Sequence, residues 1–566
     1  MKIRRIATLF LFCGSLIGGL SGFAQQGPKP VRIEVDLNRE VGPMDPVWAW
    51  FGYDEPNYTY MKDGKKLLSE LSALSATPVY VRAHNLLTTG NGEAALKWGS
   101  TNAYTEDSSG NPVYDWTILD RIFDTYVERG MKPLVEIGFM PEALSSKPEP
   151  YRHHWRPGQH YTDIFTGWSY PPKDYGKWAQ LVHAWVRHSV ERYGEAEVAS
   201  WYWELWNEPD SPYWGGTTAE YCKLYDYTAD AVKRALPSAR IGGPHVTGPT
   251  EGRNSVKFLR GFLQHCTAET NAVTGGTGAP LDFVAFHAKG SPSVENGVVQ
   301  MNLGRQLRQI SLGFETVASF AAAKDLPIIL GESDPEGCAA CPVQEYPQND
   351  YRNGTLYSSY TADAISRTIE LADRLGVHLK GSVTWAFEFE NQAWFAGFRD
   401  LATNGIDKPV LNVFRMFGMM LGRRVAVRGD LAYDVLAVRD SSVRGKPDIN
   451  ALASKDRNSA AVMVWNYHDL NEFPPPSQIE VRVQGISAGR VLLQHFRVDR
   501  DHSNSYEVWK AMGSPQQPSA AQISTLEKAG QLELLTSPSW LTTRDGEVVI
   551  ETELPRQGVS LLKLEW

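Results

Sequence analysis

Cysteine is scarce in this chain: 5 among 566 residues. So few cannot staple a molecule of this size, so an apolar core must hold it. No second ligand pair stands at metal-binding spacing, and no HExxH helix or clustered His/Asp set occurs. That argues against structural zinc and against a metal-dependent hydrolase, and no metal or organic cofactor is expected. A surplus of positive charge is also missing. The net charge of −9 leaves no basic footprint for nucleic acid or an anionic membrane, so neither partner is expected. Beyond the first twenty residues, no run is apolar enough to cross a bilayer.

That first run reads as a targeting segment. Lys2, Arg4 and Arg5 precede the apolar stretch Ile6 to Leu20, and Gly22-Phe23-Ala24 offers a small-x-small cleavage site. Residues 1–24 are therefore expected to be a secretory signal peptide, and the mature protein periplasmic or secreted. Cys13 follows Phe12, where lipid attachment would want a small residue. Cys222 and Cys266 fall on apolar faces of predicted helices and read as buried thiols. Cys338-Ala-Ala-Cys341 has no thioredoxin-like context. In an oxidising compartment it reads as a local disulfide.

Aromatic residues are plentiful, 11% with 18 Trp. Indole faces stack on sugar C–H surfaces but equally often pack the core. A strand–helix rhythm organises the first three quarters of the chain. Candidate strands are 47–53, 78–84, 132–139, 200–207, 240–245, 281–288, 326–333 and 381–387. Each is followed by a helical pattern, at 65–75, 116–130, 174–194, 217–236, 255–266, 302–324, 358–376 and 410–422. Thr217 and Glu220 have capping-box spacing, and Pro237 ends the helix they open. Eight such units predict an α/β fold, a (β/α)8 TIM barrel, over residues 47–424. From 425 to 566 short runs separated by turns predict a C-terminal β-sandwich accessory domain, with strands at 433–438, 460–466, 478–484, 490–498, 547–552 and 559–565. The segment 25–46 contains Val31 to Leu37, which could supply that sandwich with a further strand.

Two carboxylates follow apolar strands in this pattern: Glu208 in WYWELWNEPD and Glu332 in LPIILGESDP. The C-terminal ends of barrel strands are where such folds place chemistry. A lone Glu there is commonly solvated or half of an ion pair. Two of them, one in an Asn-Glu-Pro context, suggest the acid and nucleophile of a glycosidase. Other polar residues fall on the same face. Arg82 and His84 end the second strand, and Asn207 precedes Glu208. His287 and Lys289 end the sixth strand, and Trp385 ends the eighth as a candidate sugar platform. Glu388, Glu390 and Trp394 lie on the next loop. Arg82 could hold a carboxylate ionised, and Asn207 could donate to a sugar 2-hydroxyl. Glu208 and Glu332 are the candidate catalytic residues. Arg82, His84, Asn207, His287, Lys289, Trp385 and Glu390 are the candidate substrate-binding residues.

These segments resemble glycoside hydrolase family 39. VEIGFMPEALSS (135–146), WYWELWNEPD and DRDHSNSYEVWKAMGSP (499–515) are similar to its runs, over nearly the whole mature chain. The family contains β-xylosidases and α-L-iduronidases, and the resemblance implies Glu208 as acid/base and Glu332 as nucleophile. His287-Ala288-Lys289 looks like the iduronidase pattern, where Lys helps bind the uronate, rather than the His-x-Tyr of the xylosidases. Glu332-Ser333-Asp334-Pro335 also resembles the iduronidase segment. The sandwich and the export signal resemble the bacterial β-xylosidases. The expectation is a retaining exo-glycosidase that hydrolyses terminal β-D-xylosyl residues from xylo-oligosaccharides. The alternatives are an α-L-iduronidase-like uronidase or another pentose-releasing glycosidase, and, in another class, a non-catalytic carbohydrate-binding protein. The sequence leaves linkage preference and oligomeric state open.

Overall fold

The computed structural model describes residues 29–149, 151, 155–159, 167–385 and 387–566. The expected signal peptide lies outside the described residues. Eight parallel strands close a barrel: Trp50–Tyr53, Tyr80–Ala83, Lys132–Ile137, Tyr202–Leu205, Arg240–Val246, Phe283–Lys289, Ile328–Asp334 and Leu379–Trp385. The eighth pairs with the first, Val383 opposite Trp50. The strands are buried almost throughout because helices cover the outside and side chains fill the inside.

The covering helices form for legible reasons. Helix Thr218–Ala235 opens on the capping box of Thr217 and Glu220 and buries Tyr221, Leu224, Tyr225 and Val232 at helical spacing. Helix Tyr175–Tyr193 is capped by Asp174, whose side chain accepts from Lys177 N–H, and stops at Gly194. Helix Thr355–Leu375 ends on Gly376 at φ 64°, a left-handed conformation that favours glycine. Among the described residues, no helix is long and apolar enough to cross a membrane.

A ten-stranded mixed sheet forms the second unit. It closes over its own core, which includes Ile33, Val35, Val462, Val481 and Leu562. Strand Val31–Pro43, which precedes the barrel in sequence, lies inside this sheet. It runs antiparallel to Arg423–Gly429 and parallel to Ser477–Gln484.

One expected strand is a helix. Of residues 433–438, the last four open the helix Val435–Ser441, and Asp434 is its N-cap. Asp434 accepts a hydrogen bond from Leu436 N–H and so starts it. Val435 and Val438, one turn apart, are its buried residues. Gly304 lets the helix Leu303–Ala318 approach, since a β-carbon there would meet Val438 O at 2.7 Å. The sheet takes other strands instead, Arg423–Gly429 and Asp448–Asp456. Two helices, Ser505–Ala511 and Ala520–Ala529, are inserted between its strands.

Candidate active site

Strands four and seven bring Glu208 and Glu332 together over the barrel's C-terminal mouth. The backbone that presents Glu208 is unusual: Trp206 has φ 68° and Glu208 φ 44°, both in the left-handed region that costs a side-chain-bearing residue energy. The Glu208 N–H donates to His245 O at 3.0 Å, which fixes the turn. His287 Nδ1 lies 3.0 Å from Glu208 Oε1 and 3.6 Å from Glu332 Oε1. Oxygens of both carboxyl groups and a ring nitrogen of His287 fall within 4.8 Å of one another.

The two carboxyl groups sit in opposite electrostatic settings. Burial, then the nearby Glu332 charge, pushes Glu208 up to about 7, and Lys289 only partly offsets them. One fifth of the Glu208 side chain is accessible, so it faces the opening. Burial would also raise Glu332, but cations override it and hold that carboxyl well below its usual range. Lys289 Nζ donates to Glu332 Oε2 at 2.6 Å. Arg82 Nη1 lies 3.5 Å from Oε1, and Arg399 Nη2 lies 3.8 Å from Oε2. His287 is buried and driven well below its ordinary value, first by desolvation, so it is neutral. The neutral ring and the Glu208 carboxyl share one hydrogen bond at Nδ1, with the imidazole tautomer setting which of the two donates.

Beneath the pair lies a network of charges buried completely. Arg82 Nε donates to Glu204 at 2.5 Å, and its Nη2 lies 3.0 Å from Glu136 and 3.2 Å from Asn207 Oδ1. That last bond points the Asn207 carbonyl inward and leaves its NH2 group to donate elsewhere. Burial raises Glu136 well above the usual carboxyl range. Burial also acts to raise Glu204, but Arg82 and His245 outweigh it and hold the group below. His84 bridges Asp54 Oδ1, at 3.0 Å, and Glu136 Oε2, at 3.2 Å. Asp334 gathers the Glu332 side. It accepts from Lys289 Nζ at 2.9 Å, Arg399 Nη1 at 3.1 Å and the Trp385 N–H at 2.9 Å.

The sequence-predicted residues divide between this mouth and its surroundings. Arg82, His84, Asn207, His287 and Lys289 surround the pair. Trp385 has 1% of its surface accessible and forms the floor. Its indole packs against His84 and Arg82 and donates to Asp54. Glu390 is engaged elsewhere, accepting from Asp63 N–H at the start of the helix Lys62–Ser72. Glu388 is buried and accepts from Gly405 N–H. Trp394 packs with the inserted helices through Trp509 and Leu526. The pattern did not mark Asp54, Glu136, Glu204, His245, Asp334 or Arg399. Glu136 and Glu204 stand inside apolar strand runs, a signal that they point into the barrel. Arg399 comes from a loop beyond the eighth strand and carries no such signal. An S–S bond joins Cys338 and Cys341 just past Glu332.

Glu208, His287 and Glu332 lie close enough to reach one metal ion. The donor set does not suit one, because Lys289 and Arg82 already neutralise Glu332 and would repel a dication. The arrangement provides one protonated and one ionised carboxyl group facing a common space, the requirement for acid-assisted displacement at an acetal.

Comparison with known proteins agrees with this chemistry. A β-xylosidase of Geobacillus stearothermophilus is 28% identical, over 86% of this chain and 86% of its own. An α-L-iduronidase of Mus musculus is 24% identical, over 87% of this chain and 75% of that protein. A solved structure, a monomeric β-xylosidase from Caulobacter crescentus CB15, matches with a TM-score of 0.72 at 24% identity. It covers 94% of this chain and 99% of that chain, a likeness of fold. The profile of the family described as Glycosyl hydrolases family 39 matches residues 31–545, from the first strand to the turn before the strand Glu547–Leu554, and the chain belongs to that family.

Proposed function

We propose that this glycoside hydrolase is an exo-acting β-xylosidase that releases terminal β-D-xylosyl residues from xylo-oligosaccharides with retention of configuration. The observation that carries the reading is the shared His287 contact, with one oxygen of Glu208 and one of Glu332 within 4.8 Å of each other. Retaining enzymes hold their carboxyl groups about 5–5.5 Å apart, whereas an inverting pair leaves roughly 6.5–9.5 Å for a water. The ionised Glu332 attacks the anomeric carbon while Glu208 gives its proton to the departing glycosidic oxygen. Glu208, now ionised, takes a proton from water, which attacks the glycosyl-enzyme ester and frees Glu332 as a carboxylate. Arg82 and Lys289 keep Glu332 ionised, and Asn207 donates to the sugar 2-hydroxyl. These steps call on no metal or organic cofactor.

Two β-xylosidases align over most of the chain and support xylose as the released sugar. The charge count at Lys289 supports it too. Lys289 and Arg399 face Glu332 and Asp334, two cations for two anions, so no cation is spare for a sugar carboxylate. One observation favours a uronidase as the second reading. Arg399 Nε and Nη2 are buried without hydrogen-bond acceptors, and a uronate would supply them. The wild-type ratio of kcat/KM for an aryl β-D-xyloside over the matching uronide separates the two. A strong preference for the uronide overturns the first reading. The basic, apolar N-terminal segment and the Cys338–Cys341 bond support export to an oxidising compartment, which N-terminal sequencing of the exported protein tests.

A further inference from the structure

A cleft of about 670 Å3 opens beside Glu208. Its wall includes Glu208 and Lys289 but none of Arg82, Asn207, His287, Glu332 or Trp385. Glu208, the candidate acid, stands in this wall, so the cleft borders the atom that would protonate a departing oxygen. Its charges leave a positive surplus even with Asp210 counted as an anion, because two arginines in the wall face that single unpaired carboxylate. Lys289 is matched by Glu332 and Asp334, and Glu336 is paired with Arg352 at 2.6 Å. Burial raises the Asp210 carboxyl, and Thr247 donates to it through both its N–H and its hydroxyl. Arg253 and Arg305 also line the cleft, both exposed, and neither has an ion-pair partner among the described residues. One Arg305 Nη1 donates to Gly290 O, which orients the guanidinium along the wall.

A further positive contribution comes from the backbone. Arg253 is the N-cap of the helix Asn254–Ala268, and its side chain makes no capping hydrogen bond. Asn254 and Ser255, the first residues of that helix, line the cleft. The partial positive charge of the helix end and its first amides therefore adds to the two guanidinium charges. A neutral xylan chain would not use this surplus, whereas a carboxylate on the leaving group would.

We propose that this cleft is a leaving-group subsite selective for aglycones that bear a carboxylate, with Arg253 and Arg305 as the specificity-determining residues. The proposal rests on the β-xylosidase reading for its glycone, but not for the recognition itself. The test compares 3-carboxyphenyl with 3-carbamoylphenyl β-D-xyloside, which differ in charge and little in size. The account expects kcat/KM to favour the carboxylate by roughly five- to tenfold at low salt, the scale of two partly solvated ion pairs. The preference should shrink as ionic strength rises and fall towards one in the Arg253→Gln, Arg305→Gln double variant. Equal rates for the two xylosides, or a preference the double variant retains, would overturn it. If neither xyloside turns over, the β-xylosidase reading fails by itself. Calorimetric binding of 3-hydroxybenzoate against 3-hydroxybenzamide then decides the subsite without turnover. Tighter benzoate binding that the double variant loses supports the subsite, and equal binding refutes it.

Discussion

Glu208 can act as an acid at neutral pH because burial and the Glu332 charge both oppose its ionisation. Raising the pH through about 7 removes the proton that the leaving group needs, so the alkaline limb of kcat/KM should be centred there. The acid limb belongs to Glu332, held below its usual range, and should lie far lower. Replacing Glu332 by Gln takes away one of the two causes of the Glu208 shift. The Glu208 midpoint, followed by carboxyl carbon NMR, should then fall below 7; an unchanged midpoint would mean that desolvation acts alone. Lys289→Met removes a charged hydrogen bond worth about 1.5–3 kcal/mol. Turnover of the xyloside should drop by roughly 10–150-fold, and the acid limb should move upward because the Glu332 proton is no longer opposed. The residues that make these shifts were unequally legible. Arg82, His84, His287 and Lys289 each end an apolar strand, so the barrel rule found them. Asp334 hides inside the nucleophile motif, and Arg399 reaches the site only through tertiary folding of a loop.

At the level of elements, the sequence showed what local periodicity controls. All eight barrel strands and their helices stand where the alternation of apolar runs and amphipathic stretches put them, because both faces of each strand are buried. The second sheet was harder to read, since its order is set by partners far apart in sequence, as when Val31–Pro43 pairs with Arg423–Gly429 and Ser477–Gln484. Residues 433–438 show why. A short apolar run suits a strand or a helix, and the Asp434 cap together with the approach allowed by Gly304 decides for the helix. The loop after Glu332 is tied by Cys338–Cys341, while Arg352 donates to Cys338 O and Asn349 to Cys341 O. Apart from Cys13 of the expected signal segment, thiol titration of the unfolded, unreduced protein should find only Cys222 and Cys266 reactive. Changing both Cys338 and Cys341 to Ser should cost about 2 kcal/mol in denaturant unfolding, the chain-entropy value for so short a loop. Reactive thiols at Cys338 and Cys341 before reduction, or no loss of stability, would contradict this.

At the scale of the molecule, the two units are joined by a continuous core. Met463, Trp465, Tyr467, Val559 and Leu561 of the second sheet belong to the same buried cluster as the barrel side chains. Arg367 crosses the junction. It bonds Asp363 on its own helix at 3.1 Å and Asp448 of the second sheet at 2.5 Å, with all three side chains buried. Arg367→Met would leave two buried acids without their cation. It should lower stability by about 3–5 kcal/mol in denaturant unfolding, with barrel and sheet signals shifting together. A loss confined to the sheet signal would show that the two units are uncoupled. That coupling matters for the site, because the helix Thr355–Leu375 that carries Arg367 follows the strand that holds Glu332.

The double-displacement assignment of Glu208 and Glu332 meets its most direct test in the Glu208→Ala variant with azide. On an aryl β-xyloside with a good leaving group, the first step should proceed without the acid, and the glycosyl-enzyme should accumulate because no base activates water. Added azide, which needs no base, should restore turnover and release the β-configured xylosyl azide. An α-configured azide, or full activity of the variant on a natural xyloside without azide, would contradict the account.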